Sequence, residues 1–317
     1  MATSEPAHVI PAHRLPPGFA QGLEDRVGEP ATPRPAATVV LLREEGAKER
    51  MEVLLLRRTR SAGFVPGAYV FPGGRVDPAD GSPEVRRRLT GLDPDELAAR
   101  MGLGSGLGDG GGLGGSGSGA GAGDDALPND SPPPAFAFLV AAFRETFEET
   151  GILPGLSAEI LGARHTGDLR DKLLEKEISF HQVLEALDAR VDGASAAYIA
   201  HWVTPEAEPR RYDTRFFALH VAPGLPVSPQ ESEVNDALWI TPAEALERHH
   251  HGKLPMIFPT IRTLEELARF DSPAELLAGY RTREVPRLLP RLVPTPEGVG
   301  IVLPDHGAAT DSEGPAS

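Results

Sequence analysis

Between Phe136 and Thr150 the chain combines regularly spaced apolar residues with three glutamates, and this pattern limits the fold more than any other. Phe136, Val140, Phe143 and Phe147 recur at three- and four-residue steps, the period of an amphipathic helix. Gly151 follows, where a left-handed residue can end that helix. At about 100° per residue, Glu145, Glu148 and Glu149 fall within an arc of roughly 100° on the side opposite the apolar cluster. Glu145 and Glu149 are one turn apart, and Arg144 reaches Glu148 at i,i+4. Three carboxylates on one face repel one another unless a cation sits among them. Donor sets made only of oxygen suit Mg²⁺ or Mn²⁺. The plain alternative is a solvated acidic surface, so the surroundings decide.

The chain has 317 residues, 40% of them hydrophobic, enough for a substantial core. Gly (35) and Pro (32) are over-used and concentrated in particular segments. Residues 1–35 are rich in Pro and Ala, show no period, and are expected to be disordered. Residues 101–134 form a low-complexity insertion whose Gly-rich part, 103–123, reads as a flexible linker rather than a lid. The tail, 305–317, is expected to be flexible. ATVVLLR and MEVLLLR flank EEGAKER, which predicts two strands joined by a charged turn. Further strands are expected at 198–204, 212–222 and 236–241. Short helices are expected within 85–100, a polar helical stretch over 168–190, and helices at 242–250 and 260–270. The result is one α/β (α+β) domain over 36–290, with a mixed β-sheet between helices.

A net charge of −15 repels nucleic-acid backbones and argues against nucleic-acid partners. No run approaches the roughly 20 apolar residues of a membrane span, and the first residues lack the pattern of a signal peptide. Without cysteine there is no disulfide and no thiol nucleophile. These features point to a cytoplasmic chain acting on a small phosphorylated molecule. Nothing in the sequence sets its oligomeric state.

RETFEETGI, residues 144–152, resembles the second half of the Nudix box, R-E-U-x-E-E-x-G-U, departing from it only at Thr146. Phe71-Pro72-Gly73-Gly74 resembles the FPGG turn of that family, and Asp80 stands where its next glutamate belongs. Between that acid and Arg144 lie Gly81–Phe143, 63 residues, where the family pattern has seven. The surplus reads as a loop extruded from within the box, which is tolerable because loop-closure entropy grows only logarithmically with length. The resemblance implies the Nudix fold, with a Gly-rich insertion inside the box and C-terminal helices. It implies Glu145 and Glu149 as metal ligands together with the Gly74 carbonyl, and Glu148 as a third ligand or one acting through water. Arg144 would orient a carboxylate with Asp80 as its supporting partner, and Glu233, ahead of Glu231, would be a catalytic carboxylate outside the box. The metal would neutralise the diphosphate and lower the pKa of water that attacks phosphorus.

LLLRRTRSAGFVPGAYVFPGG partly resembles the coenzyme A signature of Nudix coenzyme A diphosphatases. Leu54, Leu55, Arg58, Gly67 and the FPGG turn fit; Thr59 replaces Ser, Leu56 replaces Thr, and Gly63 replaces an Arg. A broader likeness over most of 36–290 is to the peroxisomal coenzyme A diphosphatase branch, the nucleoside diphosphate-linked moiety X motif 19 family. It implies hydrolysis of coenzyme A or acyl-coenzyme A to 3′,5′-ADP and (acyl-)phosphopantetheine. Arg58, Arg210 and Arg211 would contact substrate phosphates. The chain ends GPAS rather than in a peroxisomal tripeptide, so that branch's location does not carry over. The alternatives are an ADP-ribose or nucleotide-sugar pyrophosphatase, and a non-catalytic Nudix-like nucleotide-binding regulator. His249–His251 read as a surface helix end, and Trp202 and Trp239 as core residues.

Overall fold

The computed structural model describes residues 5–15, 19–20, 23, 29–45, 50–59, 66–103, 132–230 and 232–304. The Gly-rich stretch from 104, the 305–317 tail, Gly63 and Glu231 lie outside them. The chain divides into a larger unit, Pro35–Ile199 with Arg215–Val285, and a smaller one, Met1–Arg34 with Ala200–Thr214 and Pro286–Ser317.

The larger unit is organised by the strand Arg34–Glu45, in which Val39, Val40, Leu41 and Leu42 are all fully buried. A continuous apolar run, rather than an alternating one, marks a strand covered on both faces. It pairs antiparallel with the strand Arg50–Arg58, Leu42 opposite Val53. That strand in turn pairs antiparallel with Val234–Ile240, Trp239 opposite Leu54. The short strand Gly73–Arg75 is antiparallel to the start of the 34–45 strand, and Tyr69–Val70 to the end of the 50–58 strand. Two central strands therefore fix both sides of the FPGG turn.

The helix Ala135–Thr150 begins behind three prolines, with Pro134 extended at its N-cap. It differs from the expected two-faced helix, because Ala135–Arg144 are buried all round. Phe138, Phe143 and Phe147 pack with Leu54, Leu56, Tyr198 and Phe217. The small residues Ala137, Ala141 and Ala142 are buried too, and the helix Pro94–Arg100 packs against this helix. Only towards the C-terminal end do Glu145 and Glu148 reach solvent, at 14% and 17% side-chain exposure.

Other helices of this unit are Pro83–Arg86, Ala158–Leu161, Arg164–Leu174, Phe180–Ala186, Pro242–His250, Phe258–Leu267 and Pro273–Tyr280. The last was not expected, although Ser272 caps it by accepting from the Glu275 amide at 3.2 Å, a pattern visible in the sequence. His249 and His251 turn Nδ1 onto the Leu254 and Glu247 carbonyls, as befits a helix end.

In the smaller unit, His8–Pro11 pairs antiparallel with Gly298–Val302, which pairs with Arg291–Thr295. Within 1–35, expected to be mostly disordered, His8–Pro11 is thus a strand. The segment holds a strand at the edge of that sheet, where the missing amide of Pro11 costs no ladder bond. Trp202 is buried. No helix among the described residues is long and apolar enough to cross a membrane.

Candidate active site

The two halves of the box meet in the larger unit. Asp80, 1% exposed, accepts from Arg144 Nε and Nη2, each at 3.0 Å, and from the Asp77 amide at 2.8 Å. The short Asp side chain thus serves both the guanidinium and the turn Pro78–Gly81, of which Asp77 is the N-cap. Arg144 also donates Nη1 to Glu145 Oε1 (2.9 Å) and Glu148 Oε2 (3.0 Å), and Nη2 to the Arg75 carbonyl (2.8 Å). It therefore organises two carboxylates of the helix, the acid of the turn and the strand after FPGG. Beyond the carboxylate and Asp80 expected as its partners, it also holds Glu145 and the Arg75 carbonyl.

The turn and helix touch a second time at the glycines. Gly73, with φ +152°, donates its amide to Glu149 Oε2 at 3.0 Å, and a Cβ there would stand 2.8 Å from the Thr38 Cα. A Cβ on Gly74 would come within 2.6 Å of Glu145 Oε2. Only glycine lets the turn lie against both carboxylates. Gly74→Ala is expected to displace Glu145 and lower turnover on the order of 100-fold, the scale of an ångström-sized misplacement. Steady-state kinetics of the folded variant check this, and an unchanged rate would remove Gly74 from the site.

Thr146, the departure from the motif, is fully buried and donates Oγ1 to the Ala142 carbonyl at 2.7 Å. Its hydroxyl is satisfied within the helix, so threonine substitutes without an orphan donor. Glu233 lies in the loop before the 234–240 strand, where its carbonyl accepts from the Thr59 amide at 2.9 Å. Its charge, like that of Glu145, acts on Glu149. Arg58 acts on Glu149 in the opposite sense, and its Nε has no hydrogen-bond partner among the described residues. Arg210 and Arg211 belong to the smaller unit. Arg210 is exposed, whereas Arg211 is buried and gives Nε to the Thr204 carbonyl and Nη1 to the Ala31 carbonyl. The motif reading placed Gly73 in the turn but missed its amide bond to Glu149, and missed Asp77, because both depend on where the turn lands.

Burial dominates the electrostatics. It raises the pKa of Asp80, an effect that the Arg144 charge counters. It raises that of Glu148 likewise. Burial, followed by the Glu145 charge, pushes Glu149 well above the ordinary range. Glu145 is pushed up to about 7, by burial first and against the pull of Arg144. For Arg144 itself burial lowers the pKa, but the charges of Asp80 and Glu145 outweigh it and hold the guanidinium well above its usual value. Ionising all these acids leaves a surplus of negative charge.

Glu145 therefore weakens the metal-free fold as pH rises. An unfolded glutamate ionises near pH 4.5 and the folded one near 7, so stability present below 4.5 is lost between those values, about 3 kcal/mol in all. Glu145→Gln removes the loss. The variant's stability gain over the wild type is expected to be about 3 kcal/mol larger at pH 8 than at pH 4. Urea unfolding in chelator measures it, and an equal difference at both pH values contradicts the assignment.

Among the described residues no three His, Asp or Glu side chains already converge on one cation position. Arg144 takes one oxygen each of Glu145 and Glu148, and the Gly73 amide takes one of Glu149. Each carboxylate has a second oxygen to offer. Oxygen donors with surplus negative charge are the chemistry a hard divalent cation takes, though here the three are not gathered on one position.

A family model described as the NUDT19 Nudix domain matches residues 33–270. The acyl-coenzyme A diphosphatase NUDT19 of Gallus gallus is 34% identical over 247 residues, covering 71% of this chain. The chain spans 63% of the length of that chicken protein. The Homo sapiens protein of the same name is 29% identical over 278 residues, 81% of this chain and 72% of its own. The crystal structure of a NUDIX hydrolase from Alicyclobacillus acidocaldarius superposes with a TM-score of 0.53 at 26% identity, covering 78% of this chain and 96% of its own.

Proposed function

Since the chain belongs to the NUDT19 Nudix domain family, we propose that it is a hydrolase that splits the diphosphate linkage of coenzyme A or acyl-coenzyme A, giving 3′,5′-ADP and (acyl-)phosphopantetheine. The observation that carries this reading is the double contact of the first half of the box with the carboxylate helix, Gly73 of the FPGG turn on Glu149 and Asp80 of the 78–81 turn on Arg144, across the insertion. The hydrolase domain is 36–290, with 101–134 inserted between the two halves of its box.

Glu145 and Glu149, with the Gly74 carbonyl, would hold Mg²⁺ or Mn²⁺, and Glu148 would complete or support the set. When bound, such an ion supplies charge neutralisation at the diphosphate and acidifies attacking water. Arg144 holds Glu145 and Glu148 in one arrangement, and Asp80 keeps that guanidinium from turning away. Glu233 takes up a proton from the attacking water. Arg58, with Nε uncommitted among the described residues, binds a substrate phosphate beside Glu149, and the resemblance offers Arg210 and Arg211 as further phosphate ligands. Of those two, Arg210 suits the part better, because Arg211 is already held by two carbonyls. The partner is a small phosphorylated molecule, and the setting cytoplasmic, in keeping with a chain without cysteine.

A panel of diphosphates incubated with Mg²⁺ or Mn²⁺, with products separated by chromatography, tests the reading. 3′,5′-ADP and phosphopantetheine from coenzyme A are expected. AMP and ribose phosphate from ADP-ribose, with coenzyme A untouched, would replace it with the pyrophosphatase alternative.

A further inference from the structure

The last carbonyls of a helix have no partner within it, and those of the 135–150 helix carry the carboxylate backbone. Phe147 accepts from the Gly151 amide at 2.9 Å, the ordinary left-handed cap. The next three carbonyls are taken by remote parts of the chain. Glu148 O accepts from Arg170 Nε and Nη2, at 3.1 and 2.7 Å, and Arg170 belongs to the 164–174 helix. Glu149 O accepts from the Gln230 amide at 3.1 Å and Thr150 O from the Ser228 amide at 2.8 Å. The Ser228–Gln230 segment then leads into Glu233, whose amide bonds the Gln230 carbonyl at 3.0 Å.

From this collar we infer that Arg170 is a positioning residue of the site, setting where Glu148 and Glu149 stand for cation binding without touching the cation or the substrate. Two donors from one planar guanidinium bracket a single carbonyl, fixing the backbone of Glu148 in both translation and rotation. Glu149 is the next residue, so its carboxylate shares that constraint. Gly151, at φ +74°, takes the left-handed turn that ends the helix beside Arg170; it is the backbone angle, not space for the guanidinium, that calls for glycine there. Among the described residues neither the sheet nor the Arg144 cluster holds these three carbonyls, so without Arg170 the Glu148 carbonyl loses both of its donors and only those of Glu149 and Thr150 stay tied, to the 228–230 loop.

The inference rests on the carboxylates holding a divalent ion, and the test separates the two. Mn²⁺ is titrated into full-length wild type, Arg170→Ala and Arg170→Lys, and the free ion is followed by its electron paramagnetic resonance. Thermal melting of each metal-free protein is recorded alongside. Arg170→Ala is expected to raise the Mn²⁺ Kd roughly 10- to 100-fold, the range for groups that orient metal ligands. Arg170→Lys, keeping the cation but offering no bidentate fork, is expected to fall between. The Mg²⁺ concentration for half-maximal hydrolysis should shift in parallel, with kcat at saturating ion much less affected. A lowered melting temperature with an unchanged Kd in both variants would make Arg170 merely structural and overturn the inference alone. Should Arg170→Ala not fold, an unchanged Kd in Arg170→Lys overturns it. A wild type that binds no Mn²⁺ overturns the metal reading and this inference with it.

Discussion

Glu149→Gln should lower coenzyme A hydrolysis by roughly 1,000-fold or more, about 4 kcal/mol of transition-state stabilisation, without unfolding the protein. The amide keeps an oxygen for the Gly73 amide, so the contact between turn and helix survives. What disappears is a charge that burial and the neighbouring Glu145 and Glu233 already disfavour. The metal-free variant is therefore expected to melt at or above the wild-type temperature while its turnover collapses. That opposition separates a functional carboxylate from a structural one. Turnover within a few-fold of wild type would remove Glu149 from the chemistry.

Asp80→Ala acts in the opposite direction, on the fold. Asp80 and Arg144 are 1% and 6% exposed and share two hydrogen bonds, and breaking such a buried pair from one side typically costs about 3–5 kcal/mol. Arg144 keeps Glu145, Glu148 and the Arg75 carbonyl, which places the expected loss near the lower figure. For a domain of this size, about 3 kcal/mol lowers the melting temperature by roughly 6–12 °C. Activity should fall too, because a guanidinium released from Asp80 no longer fixes the two glutamates. Differential scanning calorimetry and kinetics on one preparation measure both, and a shift under about 2 °C would mean that Asp80 is not the anchor its geometry indicates.

The chemistry-bearing helix was legible because its signals are local. The spacing of Phe136 to Phe147, the cap at Gly151 and the order of charges all lie within one stretch. The strands around Val39–Leu42 and Val53–Leu56 were legible because a short, uninterrupted run of β-branched residues and leucine suits a strand buried on both faces. What stayed hidden depends on distant segments. Arg170 sits in a polar helix with no motif, and its part exists only because that helix approaches the Glu148 carbonyl. The motif likeness pairs Arg144 with Asp80, but the further reach of Arg144 to the Arg75 carbonyl exists only once the turn folds back over 63 residues. The His8–Pro11 strand has a partner, Gly298–Val302, near the far end of the chain, and Pro-rich composition masks it. Arg210 and Arg211 are alike in the sequence, but Arg211 is buried with two guanidinium nitrogens on backbone carbonyls, a difference from exposed Arg210 that no local pattern reveals.

The central claim is that two halves of one motif, separated in sequence, make a single metal-dependent hydrolytic site. The most direct test follows coenzyme A hydrolysis by wild type and Glu149→Gln, first in EDTA and then with excess Mg²⁺ restored. Wild type should be inactive in chelator and recover with the ion, releasing 3′,5′-ADP, while the variant stays inactive in both. Hydrolysis that persists in EDTA, or a variant that recovers as wild type does, would contradict it.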